Sequence, residues 1–77
     1  MTPEEADERI ILSRQTLHRY VQMVGAGQIP VMDMGLMNDE LDLLERIADR
    51  HPGKVEKIRA LGEEWLALMA QIRAKLN

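Results

Sequence analysis

The side chains that could carry out acid–base chemistry are two histidines and a group of carboxylates. His18 and His51 fall on different predicted helices, and the chain has no cysteine, no Gly-rich phosphate loop and no G-x-S-x-G segment. The carboxylates have the spacing that is typical of the solvated face of a helix: Asp39, Glu40, Asp42, Glu45 and Asp49. Paired acid–base groups need a pocket, which a small helical domain rarely offers. We therefore expect no catalysis, no cofactor and no small-molecule substrate.

The segment 31–37, VMDMGLM, is a second candidate site. Met32, Met34 and Met37 have an M-x-M-x-x-M spacing, and thioethers can bind Cu(I). Their neighbours are aliphatic and the segment lacks histidine, so we expect no metal. Flexible methionines more often fill gaps in a core or line adaptable binding surfaces. We predict that Met32, Met34, Leu36 and Met37 contact a partner protein, with packing inside the core as the alternative.

A basic strip of Arg14, His18 and Arg19 is the third candidate site. The chain carries a net charge of −3, yet no acidic residue occurs between Arg9 and Met32. Basic side chains on an acidic protein can steer an acidic partner and set its orientation. The alternative is that these side chains only keep the protein soluble.

The segment 13–20, SRQTLHRY, also resembles the recognition helix of helix-turn-helix DNA-binding proteins. The resemblance implies a turn at residues 11–13 and phosphate contacts from Ser13 and Thr16. It further implies base or phosphate contacts from four residues: Arg14, Gln15, His18 and Arg19. DNA binding through these four residues is therefore the alternative function.

The pattern around this segment favours one continuous helix from about residue 3 to 24. Thr2 and Glu5 have the spacing of a capping box around Pro3. Apolar residues follow at helical spacing without a break, namely Ala6, Ile10, Leu17, Val21 and Val24, with Ser13 and Tyr20 at the edge. A helix-turn-helix would instead bury Asp7 between its helices and place Ile11 at the turn glycine. Residues 9–16 are therefore predicted to be helical throughout.

Two further helices are predicted after an apolar connector at residues 25–37. Asn38 is the predicted cap of a short helix at 38–50, with the inner residues Leu41, Leu44, Ile47 and Ala48. A third helix at 53–76 has a wide apolar face: Val55, Ile58, Leu61, Gly62, Trp65, Leu68, Met69, Ile72 and Leu76. We predict a single all-α domain over residues 1–77. In it the first and third helices are long and antiparallel, with the short helix between them.

Size and composition point to a protein that binds other proteins. A chain of 77 residues without cysteine has a small core and no disulfide to support it, so we expect a homodimer. Trp65 could anchor such an interface, although a core role is equally compatible with its spacing. The longest apolar run is far shorter than a membrane helix, and we expect a cytoplasmic protein. The predicted function is a regulator or inhibitor of a partner protein, by analogy in size and composition with the accessory and anti-defence proteins of phages and bacteria.

Overall fold

The computed structural model describes residues 1–76. Three α-helices span them, α1 (Pro3–Gly25), α2 (Met34–Arg50) and α3 (Val55–Leu76), with 3-10 turns at Val31–Asp33 and Pro52–Lys54. No β-strand occurs within this part of the chain. The prediction of an all-α fold is confirmed. None of these helices is both long enough and apolar enough to cross a membrane.

The first helix is continuous, as predicted. Thr2 Oγ1 accepts a hydrogen bond from the Glu5 amide at 3.1 Å, and Glu5 Oε1 accepts one from the Thr2 amide at 2.9 Å. The helix ends at Gly25, and Gly27 supplies the positive φ of 86° that the chain needs to leave it. Residues 9–16 are helical throughout, so the turn that a helix-turn-helix would need at residues 11–13 is not formed.

The second helix begins four residues earlier than predicted, and Asn38 is not its cap. The 3-10 turn at Val31–Asp33 continues directly into the helix at Met34. Starting there places Met37 two helical turns before Leu44, on the same inward side, and each of these residues is 1% exposed. Burial of Met37 therefore accounts for the additional helical turn. The capping pattern at Asn38 gives no sign of it, because capping depends only on nearby residues.

The antiparallel arrangement predicted for α1 and α3 is wrong. Contacts between these helices follow the same order along both. Lys54 Nζ donates to Asp7 Oδ1 at 2.7 Å near their beginnings, and Arg14 Nη1 donates to Glu64 Oε2 at 3.1 Å further along. The two long helices therefore run in the same direction.

The length of α2 explains this direction. Contacts between α1 and the α2 region follow opposite orders, because Arg9 pairs with Glu40 whereas the later Tyr20 contacts the earlier Asp33. A helix of 17 residues carries the chain back by about 25 Å. Since α2 returns the chain along the bundle, α3 must start again at the end where α1 starts.

The core lies between the three helices and has Trp65 at its centre. Its apolar members are buried: Ala6, Ile10, Leu17, Val24, Met37, Leu44, Ile47, Ile58, Leu61, Trp65, Leu68, Met69 and Ile72. Ser13 was predicted at the edge of the stripe but is fully buried, and its Oγ accepts a hydrogen bond from Trp65 Nε1 at 3.0 Å. Tyr20 packs edge-on against Trp65, with ring centroids 6.0 Å apart.

Two residues predicted for the core stripes lie largely outside it. Val21 is 47% exposed and Leu76 is 54% exposed. Val21 lies beside Gln71, Ala74 and Lys75 of α3, which are themselves exposed and leave it uncovered. The end of the bundle formed by the last turns of α1 and α3 is therefore incompletely packed.

Candidate protein-binding face

The fold divides the predicted basic strip between two sides of α1. Arg14 faces α3, where it pairs with Glu64, and His18 lines the same α1–α3 side. Arg19 instead lines a groove between α1 and α2. Gln15 is exposed. The strip predicted from the sequence is therefore not one surface.

The fold also separates the predicted apolar contact residues. Trp65 and Met37 are each 1% exposed, so they support the fold and cannot anchor a partner. Met34 is partly buried against the core, whereas Met32 is 93% exposed and Leu36 is 62% exposed. Only Met32 and Leu36 of this group offer a large surface to another protein.

A groove between α1 and α2 brings Leu36 together with Arg19. This groove has a volume of about 560 Å³, and Met37 and Trp65 lie at its base. α1 packs less extensively against α2 than α3 packs against either of them, which leaves this groove open. The remaining lining residues come from both helices: Arg9, Leu12, Thr16 and Tyr20 from α1, and Asp39, Glu40, Leu43 and Arg46 from α2.

A smaller groove of about 190 Å³ extends the first towards the end of α2. It shares Leu43 and Arg46 with the larger groove, and its lining adds Met1, Ile47, Arg50 and His51. We refer to the exposed and partly exposed residues of α1 and α2 that line the two grooves as the α1–α2 face. Its apolar centre is formed by Leu12, Leu36 and Leu43, of which Leu12 is 50% exposed.

The α1–α2 face is basic on an acidic protein. Four arginines line it, Arg9, Arg19, Arg46 and Arg50, against the two carboxylates Asp39 and Glu40. Arg9 and Glu40 form an ion pair across the groove. Sequence reasoning missed Arg46 and Arg50 because they lie in an acidic segment far from the strip at residues 14–19. Their signal is the 3- and 4-residue spacing of Leu36, Asp39, Leu43, Arg46 and Arg50, which places these side chains on one side of α2.

Tyr20 at the edge of this groove should titrate above an ordinary tyrosine. Its pKa is raised, first because burial disfavours the phenolate and second because its hydroxyl donates to Asp33 Oδ2, at 2.9 Å. The folded chain therefore holds this proton more tightly than the unfolded chain. Stability should be lost as the pH rises from about 10 through the folded pKa.

Ultraviolet absorbance can follow this titration directly, since the chain has one tyrosine. Asp33→Asn should lower the midpoint but leave it above that of the unfolded chain, because burial remains. A folded midpoint equal to the midpoint in denaturant would contradict the prediction.

The titratable side chains considered for catalysis do not converge. His18 lines the α1–α3 side, and His51 lies at the end of α2. Among residues 1–76, no group of three or more His, Cys, Asp or Glu side chains is arranged to hold a metal ion. Comparison of the chain with known protein families, with curated proteins and with solved structures found no match.

Proposed function

We propose that this protein is a helical interaction module that regulates or inhibits a partner protein by binding one of its α-helices on the α1–α2 face. The observation that carries the proposal is an open groove between two helices, lined by Leu12, Leu36 and Leu43 and flanked by arginines. Exposed apolar surface of this kind, with a polar border, is typical of interaction sites.

The shape of the face favours a helix as its ligand. Two neighbouring helices form a groove in which a third helix packs at about 8–10 Å from each axis. An amphipathic helix binds such a groove through apolar residues on one of its sides. The arginines would attract acidic residues beside that apolar side and speed association.

A pair of matched leucine substitutions tests the proposal. Leu36 lies on the α1–α2 face and is 62% exposed, whereas Leu66 lies on the α2–α3 side and is 53% exposed. Leu36→Asp should abolish capture of the partner from a lysate of the source cells, as measured by pull-down and mass spectrometry. Leu66→Asp should leave capture unchanged, and both variants should melt close to the wild type because each site is exposed.

Two results would contradict this function. The first is that Leu36→Asp captures the same set of proteins as the wild type. The second is that Leu36→Asp and Leu66→Asp reduce capture to the same extent, which would indicate non-specific binding to exposed apolar surface. The folded state of each variant is checked by circular dichroism before the pull-down.

DNA binding by the exposed side of α1 remains the second candidate, supported by the exposure of Gln15, His18 and Arg19. It has less support, because Arg14 is paired with Glu64 and the net charge of −3 opposes attraction to phosphate. A mobility-shift assay at low salt, with Arg14→Ala and Arg19→Ala as comparisons, distinguishes the two candidates.

A further inference from the structure

We infer that the α1–α2 face also binds a second copy of this chain, forming a symmetric dimer in which the two α2 helices pack antiparallel. The second copy is a different occupant of the face from the proposed partner helix. The inference therefore does not depend on the proposed function.

The first support is the apolar surface along α2. Leu36 and Leu43 lie seven residues apart, or two helical turns, and so occupy the same side of the helix. Leu36 is 62% exposed, whereas Leu43 is partly buried against the core. Leu12 extends this surface onto α1. In an antiparallel pair centred near Leu43, Leu43 would pack against its own copy, and Leu36 would pack against the methylene groups of Arg50 in the second copy.

The second support is the order of charges along the same side of α2. The exposed acid Asp39 lies in its first half, and the exposed basic residues Arg46 and Arg50 lie in its second half. Glu40 is already paired with Arg9 of the same chain. A symmetric interface must be complementary to itself, because the same surface is used by both copies.

An antiparallel pair meets this requirement. It places Asp39 of one copy beside Arg46 of the other, and the reverse contact follows by symmetry. A parallel pair would place Asp39 against Asp39 and Arg46 against Arg46, which is repulsive. The charge order therefore favours the antiparallel arrangement over the parallel one.

The third support is the available area. A stable interface buries about 800 Å² on each partner. The molecule measures 39 × 19 × 18 Å and has an accessible surface of 5099 Å². One long side of it, with its projecting side chains, can supply an interface of this size. The α1–α2 face occupies such a side.

Charge reversal tests the antiparallel contact directly. Asp39 and Arg46 are both exposed, and neither forms an ion pair within residues 1–76, so the fold should survive a change at either site. In sedimentation experiments on the purified full chain, we expect the wild type to dimerise. Asp39→Arg and Arg46→Asp should each weaken self-association by about tenfold or more.

Mixing the two variants provides the decisive measurement. Asp39→Arg leaves position 39 and Arg46 both basic, whereas Arg46→Asp leaves Asp39 and position 46 both acidic. An equimolar mixture should therefore recover association as a heterodimer, although each variant alone is repelled by its own copy. Asp42→Arg is the matched control, because Asp42 is an exposed acid of the same helix that lines the α2–α3 side.

The inference is overturned if the wild type sediments as a monomer at submillimolar concentration. It is also overturned if Asp42→Arg weakens association as much as Asp39→Arg does, or if the mixture stays monomeric. Dimerisation and partner capture are measured separately. A monomeric wild type that still captures a partner through Leu36 would reject the dimer alone, and a dimer that captures no partner would reject the proposed function alone.

Discussion

Replacing Trp65 by alanine is expected to lower the free energy of unfolding by about 3–5 kcal/mol, the range for removing a large buried aromatic side chain. Trp65 is 1% exposed, packs edge-on against Tyr20 and donates its indole N–H to Ser13. Small domains are stable by only about 5–15 kcal/mol in total, so the variant should lose a large part of its stability and unfold at a much lower urea concentration. Urea unfolding followed by circular dichroism measures the loss, because the variant lacks the only tryptophan of the chain.

Two smaller substitutions separate the hydrogen bond from the packing of the ring. Trp65→Phe keeps an aromatic ring but leaves the buried Ser13 hydroxyl without its donor, and Ser13→Ala leaves the indole N–H without its acceptor. Each should cost about 1–3 kcal/mol as an unsatisfied buried polar group. The double variant should cost less than the sum, since it leaves neither group unpaired. Strictly additive losses would show that the two side chains do not stabilise each other.

Replacing Ile11 by proline is expected to lower the free energy of unfolding by about 3 kcal/mol or more. Ile11 lies in the interior of α1, where proline removes a backbone hydrogen bond and clashes with the preceding turn. The same position would lie in the turn of a helix-turn-helix, where a proline would be far less damaging. The loss of unfolding free energy, measured by thermal and urea unfolding, therefore tests whether α1 is continuous at this position.

Ile11→Ala is the matched control for this experiment. Ile11 is 58% exposed, and alanine is the best helix-forming residue, so the control should change stability by less than about 0.5 kcal/mol. Comparable stability of the proline and alanine variants would indicate a break in α1 at this position.

Local patterns in the sequence were sufficient to predict that the chain forms three helices and where the first of them begins and ends. The capping box at Thr2 and Glu5, the helix end at Gly25–Gly27 and the unbroken helix through residues 9–16 are all present as predicted. Each depends on interactions within a few residues of the chain, such as a side chain that caps a nearby amide. The all-α class follows from the same apolar periodicity, which reports on one helix at a time.

The candidate site could be predicted only in part. Arg19 and Leu36 were singled out from the sequence and do lie on the α1–α2 face, whereas Arg46 and Arg50 were missed. For Trp65 and Met37, both partner contact and a core role were compatible with the sequence, and the structure places both residues in the core. The helical spacing of these apolar residues shows that they share one side of their helix. It does not distinguish a side that packs within the chain from one that packs against another protein.

Tertiary packing alone decided the direction of α3, the burial of Ser13 and the composition of the α1–α2 face. α2 starts at Met34 because Met37 is buried against its neighbours. α2 as a whole packs antiparallel to α1 and returns the chain, so that α1 and α3 run in the same direction. The helical period determines which residues share a side of one helix. Which neighbour each side meets depends on how all three helices pack together, so the joining of Arg19 with Arg46 arises only in the folded chain.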